Sequence, residues 1–477
     1  MSPGPAEGGA ARGAAHPFAP RVRTRYLHQL VAFGPVLARW RRALHALLRS
    51  EGGRQASAAA ARLRALRVAT CFDRVPFWQD RFRALGWGRH HLTEAELVAR
   101  WDLIPAVTRA DLQGGLNPMT VHPLAARARE DLYEGVTSGS TGQPVHYRMD
   151  GAAYHSFFPV VDLVLAWLDL PRARAARGFV LLDVLGHSPE YGAWLPMFHG
   201  LRFEKLTVGR GDWRGRLRGL RPQIITGDPD SLAALLETDV RPDVVLSSAF
   251  ALPPPLHAAL VRHLGCPVVE YYSAAEVGPI ALRCPSGRGW HVLTPFVHVD
   301  AVPEVAVPEA AVPEVEVAED ACGASPEGPG RQLLLTDLRN ETMPLLRYAV
   351  GDLGAVDLHV TDCPCGLSTP RILTLDGRSN VRFRRADGGV WNPAQLAPSL
   401  GRLNLLDFEV HETGPGLIRL RYRAEHGLSA RDEAALQARL RAVAGDHSTL
   451  ECEHARDPWR SPGVKPVPFR PAAEVNL

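Results

Sequence analysis

The first stretch that could do chemistry is a short run of hydroxyl residues and glycines after the apolar Val136. The run reads Thr137, Ser138, Gly139, Ser140, Thr141 and Gly142. Glycine allows a tight turn, and such a turn can direct several N–H and O–H donors into one small volume that suits a polyphosphate. A plain surface turn is the alternative interpretation, since turns favour the same residues. The Walker pattern does not match, because no Gly-Lys-Ser/Thr closes the run.

Lysine is scarce in this chain. Of the 54 lysine and arginine residues, only Lys205 and Lys465 are lysines. This chain uses arginine almost wherever it needs a positive charge. A remaining lysine therefore indicates a position that needs an ammonium group, because lysine carries a flexible point charge whereas the arginine guanidinium is planar. Lys465 is therefore a candidate catalytic residue, with a solvated lysine in the tail as the alternative. Lys205 matches no motif and receives no role.

Four metal-ligand side chains form a second group. They are Cys284, His291, Cys363 and Cys365. Three thiolates and one imidazole make a closed tetrahedral zinc set, and a closed set is structural because no position is left for water. Incidental buried residues are the alternative, since cysteine is often buried. The remaining cysteines are interpreted as non-functional: Cys71, Cys266, Cys322 and Cys452.

Length and composition indicate a globular protein of more than one domain. The chain has 477 residues, of which 46% are hydrophobic, so a large domain and a smaller one are expected. A net charge of +3 with interspersed signs favours neither nucleic acid nor an anionic membrane as the main partner. The sequence contains no run of 18 apolar residues and no secretory signal pattern, which predicts a cytoplasmic protein without a membrane span.

Apolar β-branched runs alternate with helical stretches in the middle of the chain. Strands are predicted from Gly178, Ile224, Val244, Pro267 and Arg331. This alternation indicates an α/β fold, whose ligands bind at the carboxyl ends of the strands. Polar and aromatic residues at 247–249 and 271–276 follow two of these strands, so we expect them at that edge.

The other segments are predicted from apolar spacing, capping residues and proline. Amphipathic helices are expected within 21–71 and one helix over 152–170, and Thr108 with Asp111 indicates a helix start. Residues 1–20 are expected to be a disordered tail. Residues 300–328 repeat Val-Pro-Glu, which predicts an extended acidic insertion at the surface, because recurring proline excludes a helix and a central strand.

Five motifs, in order, resemble those of one enzyme superfamily. They are the phosphate loop at 137–144, a Tyr-Gly-x-Thr/Ser-Glu-like segment at 272–276, an Arg-Tyr-x-x-Gly-Asp-like segment at 347–352, a hinge at 377–379 and a Gly-x-Lys at 463–465. On these motifs the chain resembles the adenylate-forming superfamily and, within it, the phenylacetate:CoA ligase branch. The resemblance covers roughly residues 60–470.

The resemblance implies a fold and a division into domains. The fold would be α/β, with a large N-terminal domain of mixed sheets and flanking helices and a small mobile α+β C-terminal domain. The expected boundaries are 21–377 for the AMP-binding domain and 378–477 for the C-terminal domain. The hinge would lie at Arg378, Ser379 and Asn380.

The resemblance also implies roles for the candidate residues. The loop at 137–142 would hold the β- and γ-phosphates of ATP, Glu276 would help to hold Mg2+, and Asp352 would accept the ribose hydroxyls. Lys465 would bridge the carboxylate and α-phosphate oxygens. The other expected nucleotide contacts are Ser248, Ala249, Tyr272 and Arg378. The segment from Asp362 resembles a Cys-x-Cys-Gly-Arg segment that lies beside a metal in this branch, which implies zinc at the cysteine and histidine set.

Several residues depart from the family pattern. Ser273 and Ala275 replace the usual glycine and hydroxyl residue between Tyr272 and Glu276. Ala249-Phe250 stands where the branch often has Gly-Glu, Asn380 where an acidic hinge residue is common, and Leu367 where an arginine follows the Cys-x-Cys-Gly segment. These departures bear on the expected rate of the reaction and on the identity of the acyl acceptor more than on the expected binding of the nucleotide.

The implied function is an ATP-dependent ligase that adenylates a carboxylic acid, releases pyrophosphate and passes the acyl group to CoA. The branch implies an aromatic acid and a homodimer. Candidate walls of its pocket are Tyr154, Phe157, Phe158, Trp194 and Tyr271, although core packing explains these rings equally well. Two alternatives stay open: transfer to an amine or activation of another small acid, and a non-catalytic nucleotide-binding protein.

Overall fold

The computed structural model describes nine ranges of the chain. They are 22–124, 132–137, 145–170, 179–183, 192–195, 201–303, 331–378, 381–458 and 467–472. The predicted tail (1–20), most of the phosphate loop, Ser379, Asn380, Cys322 and Lys465 lie outside these ranges.

The described helices are mostly short, apart from two long ones near the N-terminus. They are α1 (Val22–Ala46), α2 (Ser50–Arg74), α3 (Pro76–Ala84), α4 (Glu94–Arg100), α5 (Arg109–Gln113), α6 (Gly151–Tyr154), α7 (Phe157–Trp167), α8 (Trp213–Leu220), α9 (Pro229–Ala233), α10 (Pro254–Leu264), α11 (Ala397–Leu400) and α12 (Ala430–Ala444). The helix start predicted at Thr108 is confirmed, since Thr108 and Asp111 each accept a hydrogen bond from the other's backbone N–H at the start of α5.

The strands form one large sheet and three smaller ones. They are β1 (Tyr133–Val136), β2 (His146–Met149), β3 (Phe179–Asp183), β4 (Gly192–Leu195), β5 (Leu201–Thr207), β6 (Ile224–Gly227), β7 (Val244–Ser247), β8 (Val268–Ala274), β9 (Gly278–Arg283), β10 (Trp290–Val292), β11 (Val297–Val302), β12 (Arg331–Asp337), β13 (Tyr348–Asp362), β14 (Ser368–Arg378), β15 (Phe383–Arg384), β16 (Val390–Trp391), β17 (Leu405–Gly414), β18 (Leu417–Ala424), β19 (Thr449–His454) and β20 (Phe469–Arg470).

The large sheet has a parallel half and an antiparallel half that meet at β8. Its order is β11-β12-β13-β14-β10-β9-β8-β7-β6-β3-β5-β4. Strands β5, β3, β6, β7 and β8 are parallel neighbours, and β8 pairs antiparallel with β9. The predicted α/β class is therefore confirmed, and its mixed sheet places residues 271–276 where the two halves join.

Both faces of the parallel half are covered, as a parallel sheet requires. Phe179, Ile224 and Val244 face α1 and α7 in one apolar core. Their neighbours along each strand, such as Val180 and Ile225, face α8, α9 and α10 in another. The alternation of these two sets along β-branched runs explains why the strands could be predicted from sequence.

The predicted helix over 152–170 is wrong in one respect, because the structure divides it into α6 and α7 at His155 and Ser156. Proline has no N–H and its ring collides with the carbonyl four residues earlier in a continuous helix. Pro159 is the third residue of α7, where no intrahelical donor is needed. The break between the two helices therefore follows from Pro159. The side chain of His155, which lies at the break, is buried in the core.

The C-terminal part of the chain has its own sheet and core. Strands β19, β18, β17 and β20 form a four-stranded sheet, and α12 packs Leu436 and Leu440 into the core beneath it. The predicted insertion at 300–328 begins inside β11, where Asp300 pairs with Leu334 of β12; residues 304–330 lie outside the described ranges. Among the helices that are described, none is both long and apolar enough to cross a membrane.

Candidate nucleotide site and cysteine cluster

The hairpin of β1 and β2 carries the predicted phosphate loop. Thr137 and Val145 close its base: the Thr137 N–H donates to the Val145 carbonyl at 2.9 Å, and the Val145 N–H donates to Thr137 Oγ1 at 3.0 Å. Residues 138–144 lie outside the described ranges. The Thr137 hydroxyl thus helps to fasten the base of the loop, while the predicted contacts of Ser138 to Gly142 stay predictions.

Two crossed hydrogen bonds join the other predicted nucleotide residues. Tyr272 on β8 donates its hydroxyl to Asp352 Oδ2 on β13 at 2.6 Å. Tyr348 on β13 donates its hydroxyl to Glu276 Oε1, just after β8, also at 2.6 Å. The structure therefore brings Tyr272, Glu276 and Asp352 together and adds Tyr348.

Burial differs between the two acids. Glu276 is 4% exposed and Tyr348 is fully buried, whereas Asp352 and Tyr272 are half-buried. A carboxylate has several acceptor lone pairs, so a half-buried aspartate can accept from more than one donor. Arg378 lies directly opposite Asp352 in the β13–β14 ladder; nothing is described of its side chain.

The hairpin lies close to Glu276. Burial raises the pKa of Tyr147 on β2, and the nearby Tyr133 hydroxyl and the Glu276 carboxylate raise it further. Tyr147 also fills the space beside Gly135, where an added Cβ would lie 2.2 Å from the tyrosine ring. The hairpin, and with it the base of the loop, is therefore packed against the strand end that carries Glu276.

Ser248 and Ala249 lie at the carboxyl end of β7, as predicted. Burial raises the pKa of Tyr271, against the effect of hydrogen bonds to the side chains of Ser248 and Thr226. Ala249 has a φ of 75°, a left-handed conformation that costs a non-glycine residue about 1–2 kcal/mol. The backbone at Ala249 thus has a glycine-type conformation at the position where the family often has glycine.

Three of the predicted aromatic wall residues are half-buried. The rings of Phe157 and Tyr271 are 5.3 Å apart, and Tyr154 stacks on Tyr133 at 3.8 Å. Phe158 instead packs in the core against Phe179. The side chain of Trp194 lies outside the described part of the chain. Burial lowers the pKa of the neighbouring His155 to about 3, so its imidazole is neutral at pH 7.

Sequence reasoning missed Arg339, which holds the segment after Glu276. Its guanidinium donates to Asp337 Oδ1 at 2.9 Å, to the Pro279 carbonyl at 3.0 Å and to the Val277 carbonyl, and it lies over the Phe296 ring. Arg339 is 2% exposed. The Asp-x-Arg pair inside the apolar run from 331 was the available signal, because such charges are rarely buried without partners.

The cysteine and histidine set forms one cluster. The sulfur and Nε2 atoms of Cys284, His291, Cys363 and Cys365 all lie within 4.8 Å of one another. Cys284 Sγ is 3.5 Å from Cys363 Sγ, and Cys365 Sγ is 3.1 Å from His291 Nε2. Zinc at ordinary bond lengths separates its tetrahedral ligand atoms by about 3.5–3.8 Å, so these side chains fit a zinc ion with small adjustments.

The surroundings of the cluster prepare His291 as a ligand. Its Nδ1 is 3.1 Å from Thr369 Oγ1, and that hydroxyl donates to the Pro370 carbonyl. The Thr369 oxygen therefore accepts the Nδ1 proton and leaves Nε2 free to face Cys365. Burial and the nearby Arg371 charge lower the pKa of His291 to about 4, which keeps the ring neutral.

The cluster is distant from the nucleotide residues along the sheet. It joins Cys284, just after β9, and His291 on β10 to the turn between β13 and β14, whereas Asp352 lies near the opposite end of β13. Trp167 of α7 donates to the Cys365 carbonyl at 2.7 Å.

Cys71, Cys266 and Cys452 are outside the cluster. Lys205 is 4% exposed on β5.

No protein-family model and no curated protein sequence matches the chain. The fold, however, is similar to solved structures of 2-hydroxyisobutyryl-CoA ligase. The structure of its postadenylation state with 2-HIB-AMP gives a TM-score of 0.59 at 16% identity, covering 87% of this chain and 89% of that one. An open conformation with 2-HIB-AMP and CoA gives 0.56, also at 16% identity, and covers 87% and 91%. The fold implied by the motifs is confirmed to this extent: the chain has a fold similar to that of 2-hydroxyisobutyryl-CoA ligase.

Proposed function

We propose that this protein is an ATP-dependent, AMP-forming ligase that activates a carboxylic acid and transfers the acyl group to CoA. The observation that carries the proposal is the pair of crossed hydrogen bonds that joins Tyr272, Glu276, Tyr348 and Asp352. These contacts bring together residues of the 272–276 and 347–352 motifs near β8, where the parallel and antiparallel halves of the large sheet join. The similar fold of a ligase solved with 2-HIB-AMP and CoA supports it.

The reaction requires a carboxylate oxygen to attack the α-phosphorus of ATP while pyrophosphate leaves. Because two anions must approach, the site has to hold them in line and stabilise the charge on phosphate. Asp352, fixed by Tyr272, would accept the ribose hydroxyls. Glu276, fixed by Tyr348, would hold Mg2+, which neutralises phosphate charge when bound. The loop at 137–142 would bind the β- and γ-phosphates, and Lys465 would bridge the attacking carboxylate and an oxygen of the α-phosphate.

We further propose an aryl acid as the substrate. Phe157, Tyr271 and Tyr154 offer half-buried rings, and Tyr271 lies beside the side chains of Ser248 and Thr226. A pocket of this kind combines apolar walls with a few polar anchors, which suits an aromatic ring with one carboxylate. The family resemblance supports the same class, and Phe158 is assigned to core packing.

Two structural assignments belong to the proposal. The C-terminal domain starts at Arg378 and moves about residues 378–380, carrying Lys465. The cluster of Cys284, His291, Cys363 and Cys365 holds a structural zinc ion, because the four donors form a closed set with spacing close to that of zinc ligands. The zinc would cross-link two turns and take no part in the reaction.

The proposal is tested by measuring AMP and pyrophosphate release from ATP with a panel of aryl and short alkyl acids, with and without CoA. Release that requires one acid, and an acyl-CoA product when CoA is present, is the expected result. If sustained release of AMP and pyrophosphate requires an amine and not CoA, the acyl acceptor in the proposal is an amine instead of CoA. If ATP binds and no acid causes release, the ligase proposal is overturned in favour of a non-catalytic nucleotide-binding protein.

Tyr348→Phe is expected to weaken Mg2+ binding without unfolding the protein. The change removes the hydroxyl that orients Glu276 and leaves a buried carboxylate without that donor, which costs about 1–3 kcal/mol. We expect a roughly tenfold higher Mg2+ requirement, with near-normal turnover at saturating Mg2+. Titration of pyrophosphate release with Mg2+ measures it. Tyr422→Phe, in the distant C-terminal sheet, is the control, and an unchanged Mg2+ dependence for Tyr348→Phe would contradict the assignment.

A further inference from the structure

A cavity lies between α2 and the antiparallel half of the large sheet. Its volume is about 160 Å³. Helix α2 lines one side, and β10, β11, β13 and β14 line the other. Its lining residues do not include Tyr272, Glu276, Tyr348 or Asp352. The cavity is therefore a separate space from the candidate nucleotide site.

The ionisable side chains that line the cavity are all basic. Arg64 of α2, His298 of β11 and Arg371 of β14 contribute them. Much of the remaining wall is apolar and includes Ala60, Ala61, Val292, Val297 and Val356. Apolar walls with a few polar anchors are typical of small-molecule sites, and the basic anchors indicate a ligand with a negative charge at one end.

Arg64 lacks an acid as a partner. Asp300, which lies close by, forms its ion pairs with His298 and Arg347, and no carboxylate of a described residue lies within 4 Å of the Arg64 guanidinium. Arg64 Nη1 is 2.7 Å from His298 Nε2, and the same ring nitrogen is 3.0 Å from Asp300 Oδ1. One ring nitrogen either accepts from Arg64 or donates to Asp300. An anion bound to Arg64 would leave His298 free to donate to Asp300.

Two further donors in the wall are unpaired. The Ser57 hydroxyl and Arg371 Nε are buried atoms, and neither forms a hydrogen bond within the described part of the chain. Arg371 donates from Nη2 to Asp357 at 3.2 Å, which leaves Nε available. A buried donor without an acceptor is costly, so a ligand with acceptor oxygens would gain from both groups.

The volume of the cavity limits the size of the ligand. Pockets for drug-sized ligands usually measure about 300–1,000 Å³, whereas an apolar cavity of about 150 Å³ holds one benzene molecule. The space is thus too small for ATP or CoA. It suits a carboxylate with a short chain or a single ring.

We infer that this cavity binds a small monocarboxylate, whose charged end binds Arg64 and the unpaired donors of Arg371 and Ser57 and whose apolar end lies against the alanines and valines of the wall. A carboxylate has enough lone pairs to accept from several donors. Such a ligand would join α2 to the sheet and stabilise the folded protein. The inference does not depend on the proposed function, because the cavity is separate from the nucleotide site.

Titration with trifluorobutanoate, followed by fluorine NMR in the absence of ATP, tests the inference. We expect saturable binding at one site per chain, and binding of the neutral trifluorobutanamide that is about tenfold weaker or more. In Arg64→Gln the Kd for trifluorobutanoate should rise about tenfold or more, because a charge-assisted hydrogen bond is lost. The matched control is Arg62→Gln, which changes an exposed arginine on the same helix and should leave the Kd at its wild-type value.

Ala61→Leu is a second variant, which keeps every charged group and reduces the room in the cavity. It should raise the Kd several-fold at an unchanged Tm, and it decides the question if Arg64→Gln fails to fold. Equal Kd values in wild type and in both variants would place the probe elsewhere, such as in the proposed acid pocket, and would overturn the inference. Absence of saturable binding, or competition by inorganic phosphate at a lower Kd than that of trifluorobutanoate, would overturn it as well.

Discussion

Removal of the proposed zinc ion from the cluster of Cys284, His291, Cys363 and Cys365 is expected to destabilise the protein by about 3 kcal/mol or more, a part of the ~10–16 kcal/mol with which structural zinc sites bind their ion. Without the ion, three thiols and an imidazole face one another within 4.8 Å in a largely buried space. The link between the β9–β10 and β13–β14 turns is then lost. We expect one zinc per chain by metal analysis, and a Tm lowered by about 5 °C or more after chelation.

Variants separate the ligands from the residue that orients them. Cys363→Ser should lose zinc outright. Thr369→Val, which removes the oxygen that accepts from His291 Nδ1, should weaken zinc binding about 10- to 100-fold in a competition with a chromogenic chelator. Cys452→Ser, on β19 away from the cluster, is the control. A wild type that purifies without zinc and shows the same Tm before and after chelation would contradict the assignment.

Replacement of Lys465 by alanine is expected to lower the rate of adenylation by about 10²- to 10³-fold, the usual cost of removing one donor that stabilises developing charge. The physical reason is that the carboxylate and the α-phosphate are both anionic, and a flexible ammonium group can follow the charge as the bond forms. The measurement is single-turnover formation of acyl adenylate with saturating ATP and acid. ATP affinity should change little, since the proposed ribose contact of Asp352, fixed by Tyr272, is left unchanged by the substitution.

Lys465→Arg is the informative companion. It keeps the positive charge, but the planar guanidinium is larger and less able to follow the reacting oxygens, so we expect it to recover only a small part of the rate. Full activity in Lys465→Arg would show that general positive charge is enough. An alanine variant within about threefold of wild type would remove Lys465 from the reaction, and the scarcity of lysine in this chain would need another explanation.

The parts of the fold that could be predicted from sequence are those in which local pattern and burial agree. Strands β6 and β7 begin at Ile224 and Val244, as expected from their β-branched runs. The division between α6 and α7 was missed because the apolar spacing continues across it, although Pro159 carries the signal. The apolar spacing predicts how far a helical region extends. The break within it depends on a single residue, Pro159, which has no backbone N–H to donate.

The candidate site divides in a similar way. The motifs indicated Tyr272, Glu276 and Asp352, but the contact of each acid with the tyrosine of the other segment depends on the tertiary approach of β8 and β13, which are not neighbours in the sheet, and a single sequence does not show that approach. Arg339 was missed because two of its four partners are backbone carbonyls and a third, Ser156, is distant in sequence. The predicted roles of Ser138 to Gly142 and of Lys465 fall outside the described residues and stay predictions.

The crossed hydrogen bonds constrain the number of residues between each tyrosine and the acid that follows it. The types and the burial of these residues do not show this constraint. Tyr272 precedes Glu276 by the same interval as Tyr348 precedes Asp352, and each tyrosine reaches the acid of the other segment. Insertion or deletion of a single residue within either interval would change the spacing between its tyrosine and its acid, so that the two contacts could no longer keep their geometry together. The paired contacts therefore depend on the length of each interval rather than on the residues within it, such as Ser273 and Ala275.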